Sequence, residues 1–195
     1  MRTGVFGGTF DPPHLGHLIA AADAHRALAL DRVLFVPSAQ PPHKRGLVRT
    51  PAATRLEMVR AAIAGDARFA ADDLELRRPG PSYSADTLRE LRAREPGGEL
   101  FFLLGADALR DLPGWHRPDE IARLAHLAVL SRAGDGAHAA SPYPALPVAV
   151  TRVDVSATEI RRRAARGETI RYLVPEAVRA IVEREGLYRD SHLAS

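Results

Sequence analysis

The chain has 195 residues, 46% of them hydrophobic and 26% charged, which fits about one folded domain and excludes a chain disordered throughout. No apolar run approaches the roughly 18 residues of a membrane helix. The absence of cysteine excludes disulfides, iron–sulfur clusters and thiol catalysis. No leader-like segment precedes the first strand, and together these features predict a cytoplasmic protein without a membrane partner. The net charge of +3 mixes both signs along the chain, which argues against a nucleic acid polymer as partner. Lys44 is the single lysine among 27 basic residues, the rest being arginine.

A strand is predicted at Thr3–Phe6, ending at Gly7–Gly8, with a loop over Thr9–Pro13 because Pro12–Pro13 cannot continue a ladder. Leu15, Leu18, Ile19, Ala22 and Leu28 recur at helical spacing, predicting a helix from His14 to Leu30. Val33–Val36 reads as a buried strand, Ser38–Thr50 as a loop and Pro51–Ala64 as a helix with Leu56, Val59 and Ile63 inward. Alternation over Asp73–Arg77 predicts a strand, and Ser84–Arg94 a helix. Leu100–Leu104 is continuously apolar and predicts a central buried strand. There follow a short helix at Ile121–Leu124, a strand at Leu127–Leu130, a surface insertion over Gly134–Pro147 and a last strand at Val148–Val153. Helices at about Ala157–Arg166 and Pro175–Glu185 close the chain. Strands alternating with helices predict α/β architecture: a single open, mainly parallel, Rossmann-like sheet with C-terminal helices. One domain is expected over residues 1–190, with 191–195 a disordered tail.

In such sheets ligands bind beyond the C-terminal strand ends, so the loops Gly7–His17, Pro37–Thr50, Gly105–Trp115 and Asp154–Arg161 are the candidates for chemistry. The first reads Gly7-Gly8-Thr9-Phe10-Asp11-Pro12-Pro13-His14-Leu15-Gly16-His17. Its glycines allow close approach of a ligand, and the helix N-terminus after it is a natural phosphate site. His14 and His17 share one face of the first turn, and Gly16 leaves that face open. Two imidazoles can donate to a phosphate, more strongly when charged. The loop matches neither a dinucleotide-binding G-x-G-x-x-G nor a phosphate-binding Gly-Lys-Ser/Thr loop. A histidine metal site lacks a third ligand at suitable spacing. Asp11 is expected to brace the loop through backbone N–H groups. Further on, Ser156 and Glu159 have capping-box spacing at the start of a helix. Gly105-Ala106-Asp107 follows the most apolar strand, where Asp107 suits either a helix cap or ribose hydroxyls.

Gly8-Thr9-Phe10-Asp11-Pro12 and His14-x-Gly16-His17 resemble the signature of the nucleotidyltransferase α/β-phosphodiesterase superfamily. The chain is most similar there to bacterial-type nicotinate-nucleotide adenylyltransferases. The likeness continues through Pro41-Pro42-His43-Lys44, Ser82-Tyr83-Ser84-x-Asp86-Thr87-Leu88, Gly105-Ala106-Asp107, Trp115, Ser156-Ala157-Thr158-x-Ile160-Arg161 and Gly186-Leu187-Tyr188. It implies adenylyl transfer from ATP to nicotinate mononucleotide, giving deamido-NAD and pyrophosphate, with Mg2+ accompanying ATP. It implies catalytic roles for His14, His17, Lys44 and Arg161. It implies ATP contacts from Gly8, Thr9, Phe10, His14, His17, Gly105, Asp107, Ser156 and Arg161. Nicotinate mononucleotide would meet Lys44, Ser84, Ala85, Trp115 and His116, with Trp115 stacked on the pyridine ring. The chain departs from the family pattern at His116, where tyrosine is usual, and at Ser84, where threonine is usual. No carboxylate cluster forms a metal cage, so Mg2+ would ride on ATP and water. An acceptor such as nicotinamide mononucleotide or phosphopantetheine, or a non-catalytic nucleotide sensor, is the alternative. The sequence is compatible with a homo-oligomer.

Overall fold

The computed structural model of the protein describes residues 1–40, 50–132 and 141–189. Six strands form one sheet: β1 (Arg2–Gly8), β2 (Arg32–Pro37), β3 (Phe69–Ala71), β4 (Glu99–Gly105), β5 (His126–Arg132) and β6 (Ala145–Val150). Their order is β3-β2-β1-β4-β5-β6, and every neighbouring pair is parallel. The expected open α/β sheet is therefore what forms. The strand order reverses between β1 and β4, and a crevice opens there beyond the carboxyl ends of the strands.

Alternation along the strands builds two layers of core. Val5, Leu34, Val36, Leu100, Phe102, Leu104, Leu127 and Val129 pack on one face with α4 (Ser84–Arg94) and α6 (Pro118–Leu124). Val33, Phe35, Phe101, Leu103, Ala128 and Val148 pack on the other with α1 (Leu15–Ala27) and α2 (Ala52–Ile63). A third cluster joins Met58 of α2 to Ile160 of α7 (Ala157–Ala165) and to Val178, Ile181 and Val182 of α8 (Glu176–Arg184). The closing helices thus pack onto the same body as the sheet.

Three expectations are corrected. Residues 73–77 are not a strand: Leu74–Arg77 is a short helix, α3, with Leu74 and Glu75 buried. Asp72 Oδ1 accepts from the Leu74 N–H at 2.8 Å, a local side-chain bond that starts a turn where alternation alone implied extension. The strand in this region is Phe69–Ala71, which pairs with Val33–Phe35. The last strand begins at Ala145, inside the expected insertion, and ends at Val150. Pro147 sits opposite Val129 in β6, an edge strand, the part of a sheet to which proline is largely confined. The loop expected over Gly105–Trp115 contains α5 (Ala106–Asp111) and a turn of 3-10 helix at Leu112–Gly114.

Candidate active site

The crevice between β1 and β4 holds a cavity of about 240 Å3. Gly8 and Thr9 enter it from the end of β1, Gly105 from the end of β4, Ser84 from the start of α4, and Trp115 and His116 from the loop before α6. These are all residues that the motifs singled out, brought together from four segments. Phe102, Leu104, Ala108 and Ile121 supply an apolar wall. Tyr83 stacks on His116 with centroids 4.3 Å apart, so an aromatic face survives although histidine stands where the family has tyrosine. Trp115 meets Phe102 edge-on at 6.3 Å. Ala85 is fully buried and does not line the cavity.

His14 is the N-cap residue of α1, and His17 is in its first turn. Their rings stack with centroids 3.7 Å apart. His17 Nδ1 accepts from the His14 backbone N–H at 3.2 Å. An acceptor Nδ1 in a neutral ring puts the hydrogen on Nε2, which makes that nitrogen the donor. His14 is 7% exposed and its Nδ1 has no hydrogen-bond partner. Burial pulls its pKa down to about 4. Of the two forms in which an imidazole can donate to a phosphate, burial therefore favours the neutral ring for His14, the weaker donor. Two stacked cations would also repel at this separation. A Cβ at Gly16 would lie 3.1 Å from two atoms of the His14 ring, so the glycine keeps room for that ring.

Arg161 reaches the same loop from α7: its Nη1 donates to the Asp11 carbonyl at 2.8 Å. Arg162 and Arg163 instead pair with Glu159. Ser156 caps α7 by accepting from the Glu159 N–H at 3.2 Å, one half of the anticipated capping box; the Glu159 carboxylate is taken by the two arginines. Asp107 is exposed and pairs with Arg110 at 2.9 Å, and the cap of α5 is Gly105. It is not part of the cavity lining. Phe10 is buried with φ 49°, a left-handed conformation that costs a non-glycine residue about 1–3 kcal/mol. Its ring packs against Phe6, Phe35 and His17, so Phe10 supports the loop from within and does not face the cavity. Lys44, with Pro41, Pro42 and His43, lies outside the described residues.

Asp11 does not brace the loop as expected. Its Oδ1 accepts from the Tyr188 hydroxyl at 2.6 Å, a contact spanning almost the whole chain. This contact and Asp11 itself raise the Tyr188 pKa, after burial as the main cause. Two buried charged residues went unnoticed in the sequence. Arg55 is 1% exposed and donates to the carbonyls of Thr9, Thr50 and Ala39 at 2.7, 3.1 and 3.4 Å. Its position four before Val59 and eight before Ile63, on the inward face of the helix, was the available signal. Glu75 lines the cavity itself and was hidden by the strand reading of 73–77.

The comparisons with known proteins agree with this geometry. A cytidylyltransferase-like family model matches residues 5–163. A probable nicotinate-nucleotide adenylyltransferase of Thermus thermophilus is 51% identical over 189 residues, covering 97% of this chain and 100% of the relative. The chain belongs to the nicotinate-nucleotide adenylyltransferase family. Another member, from Geobacillus thermodenitrificans, is 46% identical over 96% of this chain and 86% of its own. The fold of this family member is also that of a Plasmodium falciparum nicotinic acid mononucleotide adenylyltransferase solved with NaAD. The TM-score is 0.80 at 16% identity, over 96% of this chain and 97% of that one. A putative nicotinate-nucleotide adenylyltransferase from Vibrio parahaemolyticus superposes with a TM-score of 0.72 at 20% identity, over 97% and 96% of the two chains.

Proposed function

We propose that this protein transfers the adenylyl group of ATP to nicotinate mononucleotide, giving deamido-NAD and pyrophosphate. One observation carries the reading: the glycine loop that ends β1 lines the Trp115 cavity where the strand order reverses, and the same loop runs into the stacked His14–His17 pair at the start of α1. A single protein unit over residues 1–190 holds both substrates, and the cytoplasm is its place of work. No helix among the described residues is long and apolar enough to cross a membrane.

A phosphate oxygen of the mononucleotide attacks the α-phosphorus of ATP. The bond from that phosphorus to the bridging oxygen breaks, and pyrophosphate leaves with the electron pair. The nucleophile is already anionic at pH 7, so no general base is required. Catalysis lies in alignment and in stabilising charge on the phosphoryl oxygens. His17 donates from Nε2, and the neutral His14 ring holds His17 in register by stacking. Arg161, Ser156 and the α7 N-terminus face the outer phosphates, and Lys44 adds a compact ammonium. Ser84 and the first N–H groups of α4 receive the pyridine carboxylate while Trp115 covers the ring. Gly8, Thr9, Gly105 and Asp107 take the adenosine side. Among the described residues no group of three His, Asp or Glu stands ready for a metal ion, and this donor set suits Mg2+ held by the ATP phosphates and water. Bound there, Mg2+ would neutralise charge on the departing pyrophosphate.

Pyrophosphate release from ATP and Mg2+ tests the reading, with nicotinate mononucleotide, nicotinamide mononucleotide and phosphopantetheine offered in turn. Release strongest with nicotinate mononucleotide is the expected result. ATP binding without release in any arm would identify a sensor.

A further inference from the structure

Glu75 takes no part in the reaction described above, yet it lines the cavity and is 6% exposed. Its Oε1 lies 2.5 Å from Thr87 Oγ1, and its Oε2 is buried without a hydrogen-bond partner. Thr87 Oγ1 also receives Arg78 Nη2 at 3.1 Å and lies 3.3 Å from the Tyr83 carbonyl. The threonine has one hydroxyl proton to place among these contacts. If Glu75 is ionised, that proton goes to Glu75, and the carbonyl contact loses its donor. If Glu75 carries a proton, it donates to Thr87 and Thr87 donates to Tyr83, so all three contacts of the Thr87 hydroxyl are satisfied. An ionised carboxylate this deeply buried is also costly.

The groups facing Glu75 act in both directions. Burial pushes its carboxyl above the usual range as the largest influence. The hydroxyls of Thr87 on α4 and Ser82 before it, with Arg78 and with Arg55 on α2, favour the ionised form. His116 and Tyr83 share the cavity. Tyr83 is the N-cap residue of α4, and its carbonyl accepts from the N–H groups of Asp86 and Thr87 at 3.1 and 3.2 Å. The proton chain from Glu75 therefore ends on the residue that sets the first turn of α4.

We propose that Glu75 is a specificity-determining positioning residue: its uncharged carboxyl holds Tyr83 and the start of α4, and so favours an acceptor with a ring carboxylate over one with a ring amide. This rests on the adenylyl-transfer reading above. The positive end of α4 attracts a carboxylate and offers an amide much less. An ionised Glu75 in the same poorly solvated cavity opposes that attraction, since like charges brought together there are strongly unfavourable.

The test is the ratio of kcat/KM for nicotinate mononucleotide to that for nicotinamide mononucleotide, followed from mildly acidic to mildly alkaline pH. Both acceptors carry the same phosphate, so its titration cancels in the ratio, as does any common effect of the active-site histidines. In the wild type the ratio should fall by about tenfold or more as Glu75 ionises with rising pH. In Glu75→Gln the amide can donate to Thr87 but cannot ionise, so the ratio should stay flat at its acid-side value, with KM for ATP unchanged. Thr87→Val breaks the chain and should lower the ratio about tenfold even at acidic pH. A ratio that is flat in the wild type, falls equally in Glu75→Gln, or is untouched by Thr87→Val overturns the proposal. Failure of the wild type to release pyrophosphate with either acceptor would refute the adenylyl-transfer reading, and the role of Glu75 with it.

Discussion

Arg55→Met removes a buried guanidinium that ties three stretches of backbone together. Arg55 donates to Thr9 in the phosphate loop, to Ala39 after β2 and to Thr50 before α2. Methionine fills similar space without a donor, so three carbonyls lose their partners at about 1–3 kcal/mol each. Part of this is offset, because the guanidinium no longer has to be desolvated; burial is what lowers the Arg55 pKa. The net loss should be about 3 kcal/mol, a large share of a typical total of about 5–15 kcal/mol. Urea unfolding followed by circular dichroism measures it, and an unchanged slope with a lower midpoint marks a true loss of stability. Arg55→Lys keeps the charge but cannot span the three acceptors, so it should fall between the two. A loss under about 1 kcal/mol in Arg55→Met would refute the claim that these bonds hold the loops.

Other expectations follow from the site. His17→Ala should lower turnover by about 10²-fold with the fold intact, the usual effect of losing one donor to a charged transition state; near-normal turnover of the purified variant sinks its role. His14 takes up a proton near 6.5 when unfolded but only near about 4 when folded. The unfolded chain thus binds more protons between those values, and stability should drop by about 3 kcal/mol as pH falls across that window. His14→Gln should lack that part of the pH dependence in denaturant titrations. Gly16→Ala presses a methyl against the His14 ring at 3.1 Å and should raise KM for ATP several-fold; an unchanged KM would show that the ring moves freely. Trp115→Ala should raise KM for nicotinate mononucleotide by about tenfold, the scale of one lost aromatic stacking contact, and leave KM for ATP alone, as steady-state kinetics with each substrate varied in turn can show.

Much of the site was legible because it rests on local chemistry. Gly8, His14, Gly16 and His17 lie within one loop and one helical turn, so their spacing alone places the imidazoles together. Ser156 and Glu159 announce a helix start for the same reason. Legibility failed where a local signal had two solutions. Alternation over Asp73–Arg77 fits a strand, but it also fits one helical turn begun by Asp72, and the register of β3 against β2 left the strand position to Phe69–Ala71. Pro147 read as a loop residue because its position at the edge of the sheet depends on β5.

The sequence by itself determined the parallel α/β plan and the phosphate loop, since hydrophobic period and turn chemistry act over a few residues. Only the tertiary structure decided the electrostatics of the site. His14 is neutral because α1 and its surroundings bury it, Asp11 meets Tyr188 from the far end of the chain, and Glu75 faces the cavity because α3 turns it inward. Each depends on desolvation and on partners distant in sequence, and neither quantity exists until the chain has packed.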